Sequence, residues 1–262
     1  MAAVTAATQP RATYTLLKMP SNLSSFGLPE TLRCGLGIRR AATNAATAEE
    51  AASKICQFLY DELVTSEGER ACALIRCYKT HPFGQLKPAD REFARVSMGG
   101  GTTPTPSMRC LTLLATVGDE QKWNDRRRSK GHRAIPLPAP EIVEKAPMIA
   151  QLIKQFGLEI SAVVRPSADV IKDLEGKTYG VFHVPEAAGS PYIPAQDEFV
   201  LKYNIRSVVG CGGSLRGELF ALILFARVHI TPESADRFRT LALDLKSALF
   251  TFDENRVFAG VT

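Results

Sequence analysis

A chain of 262 residues with 45% hydrophobic residues is long enough for one large domain with its own core. The formal net charge is only +5, and acidic and basic residues alternate, so no concentrated basic face for nucleic acid is expected. The longest apolar run, residues 219–226, is far shorter than the roughly 20 residues of a membrane-spanning helix. Composition therefore argues against nucleic acid and membranes as partners.

The cysteines and histidines are scattered through the chain. The six cysteines include no CxxC pair, and the four histidines form no zinc-binding spacing. Most cysteines lie within apolar patterns, which is typical of a reducing compartment. We therefore predict a cytoplasmic protein without a structural metal. The cysteines are Cys34, Cys56, Cys72, Cys77, Cys110 and Cys211.

The first 46 residues differ in composition from the rest. They are rich in Ala and Thr, and their first acidic residue is Glu30. A transit peptide and a disordered extension both have this composition, so residues 1–46 are interpreted as an arm that is partly disordered or targeting. We expect the folded domain over residues 47–250 and a C-terminal tail over residues 251–262.

The body begins with a capped helix. Thr47 followed by Glu50 has the pattern of a helix start, and apolar residues at helical spacing extend it to about residue 63. Residues 71–78 and 110–117 predict buried strands, and residues 90–98 predict a short helix between them.

A polar segment follows, and it is rich in basic residues. Residues 118–140 contain a basic spot made of Lys122, Arg126, Arg127, Arg128, Lys130 and Arg133. An apolar stripe over residues 140–156 predicts a helix. Residues 159–164 predict a strand, residues 168–174 a short helix, and residues 179–184 another strand.

The last third predicts a hairpin and a helix. Strands are expected over residues 205–209 and 218–229, joined by the glycine-rich segment 210–217. The second strand is apolar on both alternating faces, so we expect it to be central and covered on both sides. Thr231 and Pro232 have the pattern of a helix start, and the apolar stripe continues to Leu249.

This ending resembles the second half of a GAF domain. The resemblance rests on FVLKYNIRSVVG at 199–210, GELFALILFAR at 217–227 and ITPESAD at 230–236. The segments WNDRRRS at 123–129 and HVPEAAGSPYIPAQ at 183–196 resemble a subgroup found beside bacterial sensor histidine kinases. The match covers about residues 47–249, and its C-terminal third is the most specific part.

The resemblance implies an α+β fold and a sensory function. GAF domains have about six largely antiparallel strands, terminal helices on one face, and a helical cap over a small-molecule pocket on the other. They commonly dimerise through the terminal helices, here residues 47–64 and 231–249. Because no output unit follows Leu249, we expect any output to lie in another chain, such as a histidine kinase, in a region lost from this one, or nowhere.

Other function classes remain as alternatives. Free-standing relatives include methionine-sulfoxide reductases that use cysteine chemistry, but Cys72 and Cys77 are expected on opposite strand faces, which favours structural cysteines and no enzyme activity. A dimerising scaffold without a ligand is the other alternative. No cyclic-nucleotide signature or bilin-type Cys-His pair is found, and haem would need His183 or His132 as an axial ligand. The cofactor remains unknown.

The resemblance places a ligand under the cap, where we expect a set of polar side chains. An imidazole, a guanidinium and a phenol there would suit an anionic small molecule. In the alternative, Arg206 pairs with an acid and His183 bonds to the backbone. The candidate residues are His183, Tyr192, Arg206, Tyr179, Arg128 and His132.

Overall fold

A computed structural model of the chain describes residues 20–99, 103–166, 179–252 and 256–258. The helix expected over residues 168–174 lies outside these ranges. The described strands are β1 (Ser21–Asn22), β2 (Leu63–Val64), β3 (Cys72–Pro82), β4 (Arg109–Gly118), β5 (Ala134–Leu137), β6 (Tyr179–Val184), β7 (Ser207–Leu215) and β8 (Glu218–Ala226). The described α-helices are α1 (Leu28–Ala42), α2 (Ala48–Glu62), α3 (Pro88–Ser97), α4 (Pro140–Val143), α5 (Pro147–Gln155), α6 (Ile160–Val164), α7 (Pro232–Asp236) and α8 (Phe238–Phe250).

The main sheet has six antiparallel strands in the order β5-β4-β3-β8-β7-β6. Strand β8 lies near the middle and pairs with β3 and β7. Its side chains alternate between two cores, with Leu222 and Leu224 on one face and Ile223 and Phe225 on the other. The expected central strand, covered on both faces, is therefore present, and the fold is α+β.

Helices α2 and α8 cover one face of the sheet, and α1 packs against both helices. Helix α2 begins where the sequence predicted, since the Glu50 amide donates to the Thr47 hydroxyl over 3.1 Å. Helix α1 is held by ring packing of Phe26 on Phe238, with centroids 4.8 Å apart. Cys34 and Ile38 of α1 have no exposed surface, so they belong to the core.

The fold consequently begins before the boundary expected at Thr47. The low content of acidic residues suggested an arm, but the apolar positions of residues 23–38 bury against α2 and α8. Arg39 of α1 also forms an ion pair with Asp244 of α8 at 2.9 Å. Helix α1 is therefore part of the folded domain.

A second helical layer covers the other face of the sheet. It consists of α4, α5, α6 and a π-helix over Gln196–Leu201. The single helix expected over residues 140–156 is divided, because Pro147 begins a new helix instead of continuing the old one. The strand expected over residues 159–164 is a helical turn, since a short apolar run does not distinguish a strand from a buried helix. We call this layer the cap.

The glycine-rich segment of the hairpin is strand and not turn. Strand β7 continues through residue 215, and the turn is made by Arg216 and Gly217 with φ of 53° and 78°. This left-handed pair is the geometry that matches strand twist in a two-residue hairpin. A Cβ atom on Gly212 would overlap the Phe220 carbonyl oxygen and the ring of Phe156 from the cap. The glycine therefore allows the cap to approach the sheet closely.

Candidate ligand-binding cleft

A cleft of two joined compartments lies between the cap and the sheet. We call the larger one, of about 740 Å³, the polar compartment. The smaller one, of about 400 Å³, is the apolar compartment. Both volumes are within the range of small-molecule sites. The residues that line both compartments are Arg76, Gly131, His132, Met148, Pro194 and Phe225.

Arg76 lies at the junction of the two compartments, in the middle of β3. In the sheet register it stands beside Thr116 of β4 and Ile223 of β8. Its Nη1 atom is 3.5 Å from the Tyr78 hydroxyl, a weak hydrogen bond. Its Nε atom is buried and has no hydrogen-bond partner among the described residues. The otherwise apolar residues 71–78 thus carry one guanidinium, which lines the cleft.

Two hydroxyl groups of the cleft residues also lack a hydrogen-bond partner among the described residues. The Oγ1 atom of Thr116 and the Oγ atom of Ser129 are buried and have no partner within the described part of the chain. Both residues line the polar compartment together with Arg76. A buried polar atom without a hydrogen bond costs about 1–3 kcal/mol, so such atoms are uncommon in folded proteins. Three residues of the cleft lining, Arg76, Thr116 and Ser129, carry such atoms.

The basic spot divides into structural and cleft-lining residues. Asp90 of α3 is fully buried and binds Arg126 at 2.9 Å and also Arg133. Arg126 additionally donates to the carbonyl oxygen of Leu113, so this pair of arginines fixes the loop to the sheet. Arg127 forms an ion pair with Asp125 at 2.9 Å.

The remaining basic residues of the spot face the polar compartment. They are Lys122, Arg128 and Lys130, and Lys202 joins them from beyond the π-helix. Asp125 and Glu198 are the acidic residues of this lining. The Arg127 side chain hydrogen-bonds Asp125 and lowers its pKa, which ties that negative charge to its own cation. Basic groups therefore dominate the rim.

An aromatic wall forms one side of the polar compartment. The ring centroids of Trp123 and Tyr203 are 4.6 Å apart, and Phe199 meets Phe225 edge to face at 5.0 Å. Tyr203 also donates a hydrogen bond of 2.7 Å to Glu120, which fixes its ring. Aromatic faces and edges of this kind pack favourably on planar ligands.

His132 lines both compartments and contacts solvent at the rim. Desolvation by the cleft, and secondly the Arg76 guanidinium, lower the pKa of the imidazole to about 4. The imidazole is therefore neutral at pH 7, and a bound anion would favour its protonation.

The residues expected from the sequence are divided between the cleft and other places. Arg128 and His132 line the polar compartment, and Tyr192 lines the apolar compartment. Tyr179 and His183 line neither compartment. On β6, residues 180, 182 and 184 face the cap, so Tyr179 and His183 lie on the opposite face of the sheet, which α2 and α8 cover. We call this face the helix side, and the core beneath these helices the helix-side core.

The contacts on the helix side explain what these two residues do. The Nε2 atom of His183 is 3.0 Å from the carbonyl oxygen of Ile230. The Tyr179 ring lies 5.4 Å from the Lys246 ammonium of α8. Arg206 is exposed before β7 and lines neither compartment, and no ion pair of its side chain occurs among the described residues. The alternative interpretation is therefore met for His183, which bonds to the backbone, but not for Arg206, which it expected to pair with an acid.

Arg76 and Thr116, two residues of the cleft lining, were not identified from the sequence. Arg76 was included in an apolar strand, and Thr116 in the next one, without a role for either. The single arginine within the otherwise apolar residues 71–78 was the available signal, because arginine is seldom found in a buried strand.

The six cysteines are free and buried, and none lines the cleft. Desolvation raises the pKa of Cys34, Cys72, Cys77 and Cys110 to about 12. The expectation that Cys72 and Cys77 face opposite ways is wrong, because a register shift between Cys72 and Leu74 places both in the helix-side core. Their thiols stay protonated and inaccessible.

Within the described residues, no cluster of His, Cys, Asp and Glu is arranged to hold a metal ion. The helices of the described ranges are also too short or too polar to cross a membrane.

Fold and site together define an α+β protein with an antiparallel sheet between two helical layers and a basic, aromatic cleft under one of them. No protein-family model matches this sequence. No curated protein matches it either.

Proposed function

We propose that this chain is a GAF-type sensory module that binds a small molecule in the cleft and carries out no catalysis itself. The observation that carries the proposal is the set of polar side chains that Arg76, Thr116 and Ser129 contribute to the cleft. They line one cleft of ligand size, together with basic and aromatic side chains. Residues 123–129 and 191–195, from the motifs that resemble sensor-associated GAF domains, contribute to this same cleft.

The backbone of the cap supports a binding role. Ala195, which lines the polar compartment, has a left-handed φ of 60°, and the π-helix begins at the next residue. Left-handed non-glycine residues and π-helical turns are costly and are concentrated at functional sites. Gln196 holds this segment by donating to the carbonyl oxygen of Ile193 over 2.8 Å.

Strand β8 provides a direct route for a signal across the sheet. Phe225 contacts the cleft on one face, and its neighbour Leu224 packs in the core beneath α2 and α8 on the other. A ligand that shifts Phe225 therefore acts on the strand that supports these helices. The proposed output is a separate protein, such as a histidine kinase, that reads this change.

The test of ligand binding uses native mass spectrometry of the gently purified full chain, followed by a thermal-shift screen of anionic, neutral and cationic metabolites. We expect a copurifying mass or a set of compounds that raise the melting temperature. Arg76→Met should abolish the shift, whereas Arg206→Met, an exposed arginine outside the cleft, should preserve it. The absence of any bound mass and any shift would contradict the proposal and favour a scaffold without a ligand.

The reductase alternative has no supporting observation. Such chemistry needs an accessible thiolate, and burial raises the pKa of every cysteine in this chain.

A further inference from the structure

We propose that the ligand of the cleft is an amphipathic organic anion whose acidic group binds Arg76 and whose ring-bearing apolar body fills the apolar compartment. This inference rests on the proposed function, since it names the chemical class of the small molecule.

The hydrogen-bonding groups at the junction select an acidic head group. A guanidinium has only N–H donors, and Arg76 lines both compartments, so its partner in the cleft is an acceptor. Thr116 stands beside Arg76 in the sheet register, and its hydroxyl also has no partner among the described residues. Ser129 adds a further hydroxyl from the loop above. An oxyanion suits this set of donors, because each of its oxygens accepts more than one hydrogen bond.

The rim strengthens the preference for negative charge. Lys122, Arg128 and Lys130 surround the opening of the polar compartment. Such a rim attracts anions and repels cations before contact. Neutral ligands gain nothing from it.

The apolar compartment selects the body of the ligand. Its lining is almost free of polar groups apart from those shared at the junction and the Tyr78 and Tyr192 side chains. The apolar residues include Leu111, Ile135, Ile149, Leu152 and Ile223. Phe225 faces both compartments and continues into the aromatic wall. When the acidic group is bound to Arg76, a ring attached directly to that group would therefore pack against Phe225.

The test compares two fluorescent probes that differ by one acidic group. The anion is 8-anilinonaphthalene-1-sulfonate, and the uncharged analogue is N-phenyl-1-naphthylamine. Both are titrated into the full chain. The only tryptophan, Trp123, lines the polar compartment, so it is excited and the emission of the bound probe is measured. Inorganic sulfate is the probe for the head group alone.

We expect the sulfonate to bind more tightly than the neutral analogue and far more tightly than sulfate. Arg76→Met should weaken sulfonate binding about tenfold to a hundredfold, the effect of losing a charge-assisted hydrogen bond, without weakening the neutral probe. Thr116→Val should weaken it less, and it provides a second variant if Arg76→Met does not fold. Arg206→Met is the matched control and should leave both affinities unchanged.

Two results would overturn the inference and leave the proposed function standing. In the first, the neutral probe binds wild type as tightly as the sulfonate and neither variant changes this. In the second, sulfate binds as well as the sulfonate, so that the apolar body contributes nothing. If no probe binds and the metabolite screen also gives no shift, both proposals fail.

Discussion

At the scale of single residues, Arg76 combines an unfavourable position with a central place in the cleft. It carries a charge into an apolar strand, and the described residues leave its Nε atom without a hydrogen bond. Arg109, whose Nε atom is likewise unpaired among these residues, binds Glu218 at 2.8 Å, whereas no ion pair of Arg76 occurs among the described residues. Arg76 therefore resembles residues whose cost to the fold is offset by binding.

Arg76→Met should leave the free energy of unfolding unchanged or raise it, because methionine fills similar volume without a charge or an unpaired donor. The measurement is urea unfolding of the unliganded chain. Arg126→Met is the matched comparison, since Arg126 binds the fully buried Asp90. That change should destabilise the chain by about 3 kcal/mol. A comparable loss for Arg76→Met would identify Arg76 as structural and contradict its assignment to binding.

His81 makes the stability dependent on pH. Its side chain is buried, its Nδ1 atom has no partner among the described residues, and its surroundings include the basic groups Lys79, Arg109 and Arg126. Desolvation first, and then Lys79, lower the pKa of the imidazole well below its ordinary value. The folded chain therefore holds His81 neutral where the unfolded chain would protonate it.

Because the pKa is lower in the folded state, this contribution is present above about pH 6.5 and is lost as the pH falls below it. The loss is about 1.4 kcal/mol per pH unit for one fully buried histidine. His132 and His183 have lowered pKa values too, but their solvent contact reduces their share. Urea unfolding between pH 7 and pH 5 should show this decline, and His81→Leu should make it shallower. An equal decline in the variant would rule out His81 as its source.

At the scale of elements, helix α1 is the largest departure from the sequence interpretation. Its buried face packs on α2 and α8, while Leu32 on the opposite face is 58% exposed. Composition indicated an arm because it averages over the segment and does not register which face of a helix is apolar.

Ile38→Ala should therefore lower the free energy of unfolding by about 2–5 kcal/mol, since Ile38 is completely buried in the helix-side core. Leu32→Ala, in the same helix, should change it by less than about 0.5 kcal/mol. Thermal unfolding of both variants provides the comparison. Equal small effects would mean that α1 does not pack on the domain.

The strongly patterned elements were predictable from the sequence. The strand over residues 179–184 matches β6, and the Thr47 cap matches the start of α2, because both depend on local spacing and capping chemistry. The glycine-rich segment was not recognised as strand, because the reason for a glycine at position 212 is the close approach of Phe220 and Phe156, and Phe156 is distant in sequence. Tertiary contacts of this kind leave no local signal.

The same distinction applies to the cleft. Arg128, His132 and Tyr192 were predictable because they lie on polar or proline-rich loops, where binding residues are common. His183 and Tyr179 were assigned to the wrong face, since period-two alternation groups them together but does not say which face meets the cap. Thr116 and Arg76 meet only through the pairing of β3 with β4, which the sequence does not state.

At the scale of the whole molecule, self-association remains a prediction of the GAF resemblance. The apolar stripes of α2 and α8 are already used against the sheet and α1. The large apolar side chains left exposed on this side are Leu28, Leu32, Leu36, Leu243 and Phe250. We expect a dimer in sedimentation equilibrium of the full chain and weaker association for Leu32→Glu. A monomer at every concentration tested would contradict it.

A sensory function requires that occupation of the cleft be transmitted to the helices on the other face of the sheet. Hydrogen–deuterium exchange of the full chain, with and without 8-anilinonaphthalene-1-sulfonate, tests this claim most directly. We expect slower exchange in residues 128–132 and 193–203, which contribute to the cleft lining, together with altered exchange in α8 across the sheet. Exchange that is unchanged in α8 while the probe saturates the cleft would contradict the claim that this chain is a sensor.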